Sequence, residues 1–350
     1  MGQLYTFSSL VKTVSTRTCP ASFVVEKITS WGVIKRRVPR CHLSSTARMF
    51  ATTVAVITAK SANREVSLAG KQALVIGGTQ GIGASIALRL SSLGAAVTIA
   101  GRNEKLAESV ISKAENKMEF EKVDLSLISG IYKFAAEMKK KFGPTGLHYM
   151  FNSAGSPPGG SITLTCEGFA QDFTIQCMGR LLVTYKLLPV LKDGTSVWVA
   201  APASKGGKVD LEDPDLSKTL KNYWVKFLAQ ALRDSAFLDS MAMELAERNP
   251  NLRVLHLFPG IVGTNVLSNN GFNWIFGFAS RLLTRAGIAQ KPDDYAEVAV
   301  YLAIKDHSTG VHFYGPNLKS LTPGEWVMND GNRKKLWDWA IKTGERIGTK

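Results

Sequence analysis

Short apolar runs alternate with longer amphipathic segments along most of the chain, starting near residue 68. Runs rich in Val, Ile, Ala and Phe predict strands at residues 72–76, 95–100, 119–123, 148–151, 196–200, 253–258 and 310–314. Apolar residues at helical spacing predict helices at residues 83–93, 104–114, 128–142, 169–191 and 220–248. This alternation predicts an α/β fold with a single doubly wound parallel sheet flanked by helices.

The first 48 residues differ in composition from the remainder. They contain thirteen Ser or Thr residues, several Arg and almost no acid. Such composition is typical of a mitochondrial transit peptide, and residues 40–45 are similar to a processing site. An upstream extension before a true start at Met49 explains the composition equally well. We therefore expect a targeting peptide or disordered extension over residues 1–48, a linker over 49–67 and a folded domain over 68–350. The location is mitochondrial if the extension is real and cytoplasmic otherwise.

The charge and the scarce metal-binding residues exclude several classes of function. The net charge is +15, but residues 1–60 hold nine Lys or Arg against one acid, Glu26. The smaller surplus elsewhere is typical of a solvated surface, so no nucleic acid partner is expected. No run of 18 apolar residues is present, so no membrane span is expected. The four cysteines and five histidines form no cluster with ligand spacing, so no metal site is expected.

A glycine-rich turn follows the first strand of the domain, in the run Gly77-Gly78-Thr79-Gln80-Gly81-Ile82-Gly83. Gly77 permits a sharp turn, Gly81 permits a phosphate to approach the backbone, and Gly83 permits close packing of helix on strand. The context of strand, turn and helix predicts a Rossmann-type dinucleotide site. The predicted contacts are Gly77, Thr79, Gln80, Gly81, Ile82 and Gly83.

The residue after the second strand indicates which dinucleotide is bound. Arg102 stands where NAD-binding proteins usually present an Asp or Glu to the ribose hydroxyl groups. A guanidinium can form charge-assisted hydrogen bonds with a 2′-phosphate, with Thr79 or Gln80 in reach, which favours NADP(H) over NAD(H). A surface Arg beside a helix cap is the structural alternative.

The order of these and later motifs resembles the short-chain dehydrogenase/reductase family, from residue 68 to residue 347. The glycine turn is similar to the family's TGxxxGxG loop, with Ile76 in place of Thr. Residues 123–125 (VDL) resemble its adenine-contacting segment, residues 152–155 (NSAG) its NNAG motif, and residues 258–264 its PG-x-V-x-T segment. The resemblance implies cofactor contacts from Asp124, Asn152, Ala154, Gly155, Pro259, Gly260, Val262 and Thr264.

The family's catalytic positions hold unexpected residues. The resemblance implies a Tyr acid, a Lys four residues later, a Ser after the fifth strand and an Asn in a proton relay. Counting from flanking motifs places these at Ala231, Ser235, Ala201 and Gln176. The usual tetrad is absent in this placement, and the pattern resembles a divergent fungal-type branch of the family that is often found beside genes of secondary metabolism.

Nearby polar residues are the predicted substitutes, namely Tyr223, Lys226, Ser204 and Gln176. Tyr223 and Lys226 share a helix face, and Ser204 lies three residues beyond the Ser position. Eight helical residues, about 12 Å, separate Tyr223 from the Tyr position, so a surface role is the structural alternative. The leading hypothesis is an NADP(H)-dependent oxidoreductase acting on a carbonyl or alcohol. The alternative is a dinucleotide-binding sensor or assembly subunit without turnover.

An aromatic-rich segment follows Thr264 and contains Phe272, Trp274 and Phe276. It lies where family members place a mobile lid, and its aromatic density predicts a helical lid over a small hydrophobic substrate. A partner-binding helix or a peripheral membrane contact is the alternative. The resemblance also implies a homo-oligomer built through the long helices.

Overall fold

The computed structural model describes residues 22–29, 32–155, 162–191, 194–219, 223–263, 289–305 and 308–349. The description is of the backbone alone before residue 50 and at residues 223–227. The segment 1–50 forms one unit, in which β1 (Ser22–Thr29) pairs antiparallel with β2 (Gly32–Pro39). This hairpin lies in the segment interpreted as a targeting peptide or extension.

The second unit, Ala51–Lys350, contains a seven-stranded sheet. Its strands are β3 (Gln72–Ile76), β4 (Ala96–Gly101), β5 (Met118–Lys122), β6 (Tyr149–Asn152), β7 (Thr195–Val199), β8 (Arg253–Leu257) and β9 (Gly310–Tyr314). All neighbours pair parallel, in the order β5-β4-β3-β6-β7-β8-β9. The predicted doubly wound sheet is therefore confirmed. The strand order reverses between β3 and β6, which opens a crevice at their carboxyl ends.

Helices cover both faces of the sheet. They are α1 (Arg40–Asn63), α2 (Gly81–Ser92), α3 (Glu104–Ile111), α4 (Ile128–Phe142), α5 (Gln171–Phe173), α6 (Gly179–Leu187), α7 (Tyr223–Arg248), α8 (Pro292–Ile304), α9 (Glu325–Met328) and α10 (Asp330–Gly348). A π-helical turn, Thr174–Met178, joins α5 to α6. The single helix predicted at residues 169–191 is thus interrupted.

The buried strands explain the continuous apolar runs in the sequence. Successive side chains of a strand point to opposite faces, so Leu74 and Ile76 enter one core cluster while Ala73 and Val75 enter the other. All five residues of β7 are buried. A parallel sheet covered on both faces therefore reads as an apolar run and not as an alternating one.

The segment predicted as a linker, residues 49–67, is largely helical. Within α1, Val56 and Ala59 are buried in the core cluster that also contains α8. The Asn63 side-chain amide donates to a Glu297 carboxylate oxygen at 2.7 Å, and Lys60 forms a salt bridge with Asp294. An apolar helical face and two polar contacts therefore hold this stretch against α8. The division into extension, linker and domain stays a prediction.

Helix α10 packs against α4 and α7. Leu336 and Ala340 are fully buried, and the Trp337 ring lies edge-on to Tyr185 with centroids 5.8 Å apart. The Arg333 guanidinium forms a salt bridge with Glu247 at 2.8 Å. Part of the surface of the long helix α7 is therefore covered by the chain's own C-terminal helix.

Candidate functional site

The loop between β3 and α2 makes backbone contacts that leave no room for a side chain. Gly77 has φ +79°, and a Cβ there would lie 2.6 Å from the Ala154 amide nitrogen. A Cβ on Gly83 would overlap the Gly77 carbonyl oxygen and the Ser153 hydroxyl oxygen. The loops that follow β3 and β6 are therefore pressed together where the strand order reverses.

Helix α2 begins in this loop, at Gly81, which has φ +56°. The amides of Gly81, Ile82 and Gly83 lie in its first turn, where no intrahelical acceptor exists, at the positive end of the helix dipole. This geometry suits an anion such as a pyrophosphate. All six residues predicted from the glycine turn lie in the segment from Gly77 to Gly83.

Arg102 follows the carboxyl end of β4 and is exposed. Behind it, a Cβ on Gly101 would lie 2.9 Å from the Thr79 methyl carbon, so the glycine loop packs directly against this strand end. Within the described part of the chain, the Arg102 guanidinium forms no hydrogen bond or salt bridge. Its charge is thus available to an anion that occupies the crevice.

The predicted contacts after β5 and β6 lie at the same edge of the sheet. Asp124 is exposed and accepts a hydrogen bond from the Ser126 amide at 2.9 Å. Asn152 is fully buried, and its side-chain oxygen accepts from the Ala154 amide at 3.3 Å. Its side-chain nitrogen has no partner among the described residues. The buried side chain of Asn152 therefore anchors the loop that leads to Gly155.

The segment after β8 also reaches this edge. Gly260 has φ +71°, and Val262 forms a parallel bridge with Gln290. The Gly263 amide donates to the Gln290 carbonyl at 3.0 Å, which fixes the backbone beyond Pro259. Thr264 and the predicted lid lie outside the described residues.

Ser235, at the position of the family's catalytic Lys, makes a structural contact. Ser235 is 2% exposed, and its hydroxyl accepts from the Ser204 amide at 3.0 Å. One turn later, Asp239 accepts from the Ala203 amide at 2.7 Å and pairs with the His256 ring at 2.8 Å. Helix α7 therefore holds the loop after β7, where Ala203 has a left-handed φ of 59°. The sequence reading missed Asp239; its spacing of four from Ser235 was the available signal.

Gln176, at the position of the family's catalytic Asn, lies in the π-helical turn. The Gln176 side-chain oxygen is buried, has no partner among the described residues, and lies 2.9 Å from where a Gly155 Cβ would stand. Arg180 donates to the Gln176 carbonyl at 2.6 Å and to the Val199 carbonyl at 2.9 Å. Burial lowers the pKa of Arg180 to about 10, which leaves it charged at neutral pH. Arg180 was also missed; its only signal was a lone charge in an apolar helix.

Known proteins and solved structures are similar to this chain in sequence and in fold. Residues 71–213 match the family described as short chain dehydrogenase. Human polyprenol dehydrogenase is 28% identical over 278 residues, which are 76% of this chain and 82% of that protein. A crystal structure of an uncharacterized protein from Mycobacterium paratuberculosis has a TM-score of 0.61 at 22% identity, covering 80% of this chain and 95% of that one.

The chain has the short-chain dehydrogenase fold. A metagenomic short-chain oxidoreductase, solved in complex with NADP, has a TM-score of 0.51 at 22% identity, covering 72% of this chain and 99% of that one. The homologues and structural neighbours support an assignment to the short-chain dehydrogenase/reductase family. Members of that family are oxidoreductases that bind a nicotinamide dinucleotide.

The crevice of this fold fits such a dinucleotide. Gly77 and Gly83 let the loops after β3 and β6 lie in close contact, and the first turn of α2 leaves unpaired amides at this edge of the sheet. Buried polar atoms of Asn152 and Gln176 that have no partner among the described residues flank its β6 side. No helix in the described ranges is both long and apolar enough to cross a bilayer. Nor do those ranges hold three or more metal-binding side chains grouped together.

The structure describes the side chains of only two of the four predicted catalytic residues. Ser204 is partly buried on the loop after β7, and Gln176 lies beside Gly155. Tyr223 and Lys226 belong to the first turn of α7, but their side chains lie outside the described residues. Their assignment as the proton-transferring pair therefore stays a prediction.

Proposed function

We propose that this short-chain dehydrogenase is an NADP(H)-dependent oxidoreductase that transfers a hydride to or from a hydrophobic carbonyl or alcohol. The observation that carries the choice of cofactor is the exposed Arg102, which directly follows Gly101, the residue that packs against Thr79, and forms no hydrogen bond or salt bridge with any described residue. A guanidinium in that place binds a 2′-phosphate through charge-assisted hydrogen bonds. Asn103, the next residue, is committed to capping α3 and offers no acid to a ribose hydroxyl.

A bound nicotinamide would supply or accept the hydride. The chain's own residues would bind the dinucleotide and orient the substrate. The amides of Gly81 and Gly83 hold the pyrophosphate. Gln176 offers a buried acceptor to a hydroxyl group, and Ser204 lies on the loop that Ser235 holds. Tyr223, with Lys226 on the same face, moves the proton at the substrate oxygen in this proposal.

Two observations support an apolar substrate. Phe258 is 39% exposed and Ile261 is 63% exposed just after β8, at the same edge of the sheet as the crevice. Apolar side chains there suit a hydrophobic ligand. The name of the human relative, polyprenol dehydrogenase, denotes a long apolar alcohol for that protein. A role in secondary metabolism, as in the fungal-type branch, remains part of the proposal.

Replacing Arg102 with Ser tests the choice of cofactor. We expect the wild type to bind NADPH more tightly than NADH. The variant should lose about 10- to 100-fold in NADPH affinity, since a hydrogen bond to a charged group contributes about 1.5–3 kcal/mol. Its NADH affinity should change little. Isothermal titration calorimetry with NADPH and with NADH measures both affinities. Arg64→Ser is the control for loss of an exposed Arg. Equal losses for the two nucleotides would contradict the role of Arg102.

A dinucleotide-binding protein without turnover is the second candidate. It is favoured by Ala201 and Ala231, which cannot move a proton, and by the structural contact of Ser235 with Ser204. Under this candidate, NADPH binds but is not consumed.

Turnover separates the two candidates. NADPH consumption is measured with a panel of apolar ketones and aldehydes, for the wild type and for Tyr223→Phe. The oxidoreductase proposal expects consumption that falls about 10²- to 10⁴-fold in the variant, the usual contribution of a general acid. Consumption that is unchanged in the variant removes Tyr223 from the mechanism. Binding without any consumption by the wild type supports the second candidate.

A further inference from the structure

A cavity of about 540 Å³ lies between α4, α6 and the end of α10. Its described lining includes three lysines, Lys133 and Lys139 on α4 and Lys186 on α6, but no Asp or Glu. The residues that line it are different from those of the dinucleotide crevice. This cavity is therefore a second concave site, with its own chemistry.

The three cavity lysines differ from a neighbouring lysine on α4 that is paired. Lys141 forms salt bridges with Glu119 and Glu121, each at 2.8 Å. The cavity lysines form no salt bridge with any residue in the described part of the chain. Three positive charges thus surround one space without a paired carboxylate.

Lys186 is the cavity lysine whose ammonium group is held in a defined place. Its Nζ lies over the face of the Tyr132 ring, 4.6 Å from the ring centroid. A cation in that position is attracted by the electrons of the ring. The ammonium group is therefore oriented beside the cavity before any ligand binds.

The rest of the cavity wall is small and mostly apolar. It includes Ala135, Ala136, Gly348 and the ring of Tyr132. A Cβ on Gly348 would overlap this ring, so the end of α10 lies directly against it. The aliphatic parts of the lysine side chains add further apolar surface. The cavity thus offers an apolar wall bordered by positive charge.

The acidic groups near the cavity leave this positive character in place. Burial, with a smaller contribution from the Glu345 carboxylate, raises the pKa of Tyr132 to about 12, so the phenol is neutral at physiological pH. Ser129, at the start of α4, also lines the cavity, and its hydroxyl donates to the Glu167 carboxylate. That carboxylate repels an anion at this end, so an anionic group is favoured nearer the three lysines.

We propose that this cavity binds a free amphiphile with one anionic head group and one alkyl chain, such as a long-chain carboxylate. Its volume lies within the range of about 300–1,000 Å³ that is usual for small-molecule sites. The lining residues of α4 extend from 129 to 139, which is about 15 Å of helix and suits a single chain. The large exposed apolar side chains of the described residues lie elsewhere, so insertion into a bilayer is not favoured at this concave surface.

Titration of the full chain with sodium dodecanoate, below the concentration at which it forms micelles, tests this inference. One dodecanoate should bind in the cavity, with an affinity that falls as the salt concentration rises. Dodecyltrimethylammonium, which has the same chain and the opposite charge, should bind at least about tenfold more weakly. Replacing all three cavity lysines with Gln should weaken dodecanoate binding about 10- to 100-fold, since each exposed ion pair contributes up to about fivefold.

A variant that fills the cavity distinguishes it from the crevice. Ala136→Trp changes an exposed position of α4 and should abolish this binding event while the protein stays folded. Lys140→Gln is the matched control, because Lys140 is an exposed lysine on the same helix that does not line the cavity. It should bind dodecanoate like the wild type. The NADPH affinity should be the same in all of these variants, so the proposed function stands or fails separately.

Several outcomes would overturn the inference. They are a wild type that binds no dodecanoate, an affinity that Ala136→Trp or the triple Gln variant preserves, and equal binding of the two amphiphiles of opposite charge. Vesicles of phosphatidylcholine and phosphatidylglycerol provide a further arm of the test. Binding to these vesicles without binding to free dodecanoate would assign a membrane surface in place of a site for a free amphiphile.

Discussion

Gly83→Ala is expected to abolish dinucleotide binding while leaving a folded, less stable protein. The added methyl group would overlap the Gly77 carbonyl oxygen and the Ser153 hydroxyl oxygen, so α2 must move away from both loops. Overpacking of this kind lowers the free energy of unfolding by about 1–3 kcal/mol. The shift of the first turn of α2 should reduce NADPH affinity more than about 100-fold, because several amide contacts to the pyrophosphate depend on it.

Urea denaturation and NADPH titration measure the two effects of this substitution. Gly143→Ala is the matched control, because Gly143 ends α4 with an ordinary φ of −49° and is exposed. The control should retain both stability and affinity. If Gly83→Ala bound NADPH like the wild type, the helix terminus would not be the phosphate site.

Asp239→Ala is expected to destabilise the protein by about 2–5 kcal/mol and to loosen the loop after β7. The substitution leaves the Ala203 amide and the buried His256 ring without their acceptor. Each buried polar group left without a partner costs about 1–3 kcal/mol. Urea denaturation measures the loss of stability, and amide hydrogen exchange at residues 201–204 measures the opening of the loop.

Ser235→Ala separates the two contacts that α7 makes with this loop. It removes only the acceptor of the Ser204 amide, so it should cost about 1 kcal/mol. A loss below about 1 kcal/mol for Asp239→Ala, or exchange at Ala203 as slow as in the wild type, would show that another group holds the loop.

Local patterns were sufficient to predict most of the sheet. Strands β3 and β9 and helix α4 begin and end where the sequence predicted. Each is an apolar run or an amphipathic stretch bounded by polar or turn-forming residues, so its limits are encoded nearby. The segment at 169–191 was predicted less well. Its π-helical turn coincides with the contact between Arg180 and the Gln176 carbonyl, which single-residue helix preferences do not encode.

In the candidate site, too, features encoded by neighbouring residues could be predicted, whereas contacts between distant residues could not. The glycine loop could be predicted because its proposed function depends on consecutive residues, and Gly83 does pack closely against the Gly77 carbonyl oxygen. Asp239 and His256 could not be paired from the sequence, since they lie on α7 and β8 and meet only through the fold. Likewise, the contact between Arg180 and Val199 joins a helix to the end of a neighbouring strand.

A crystal structure of the full chain with NADP⁺ tests the central claim most directly. The pyrophosphate should accept hydrogen bonds from the first-turn amides of α2, near Gly81 and Gly83, and the 2′-phosphate should contact the Arg102 guanidinium. The nicotinamide should lie toward Gly155. A nucleotide bound elsewhere, or one whose 2′-phosphate points to solvent away from Arg102, would contradict the account.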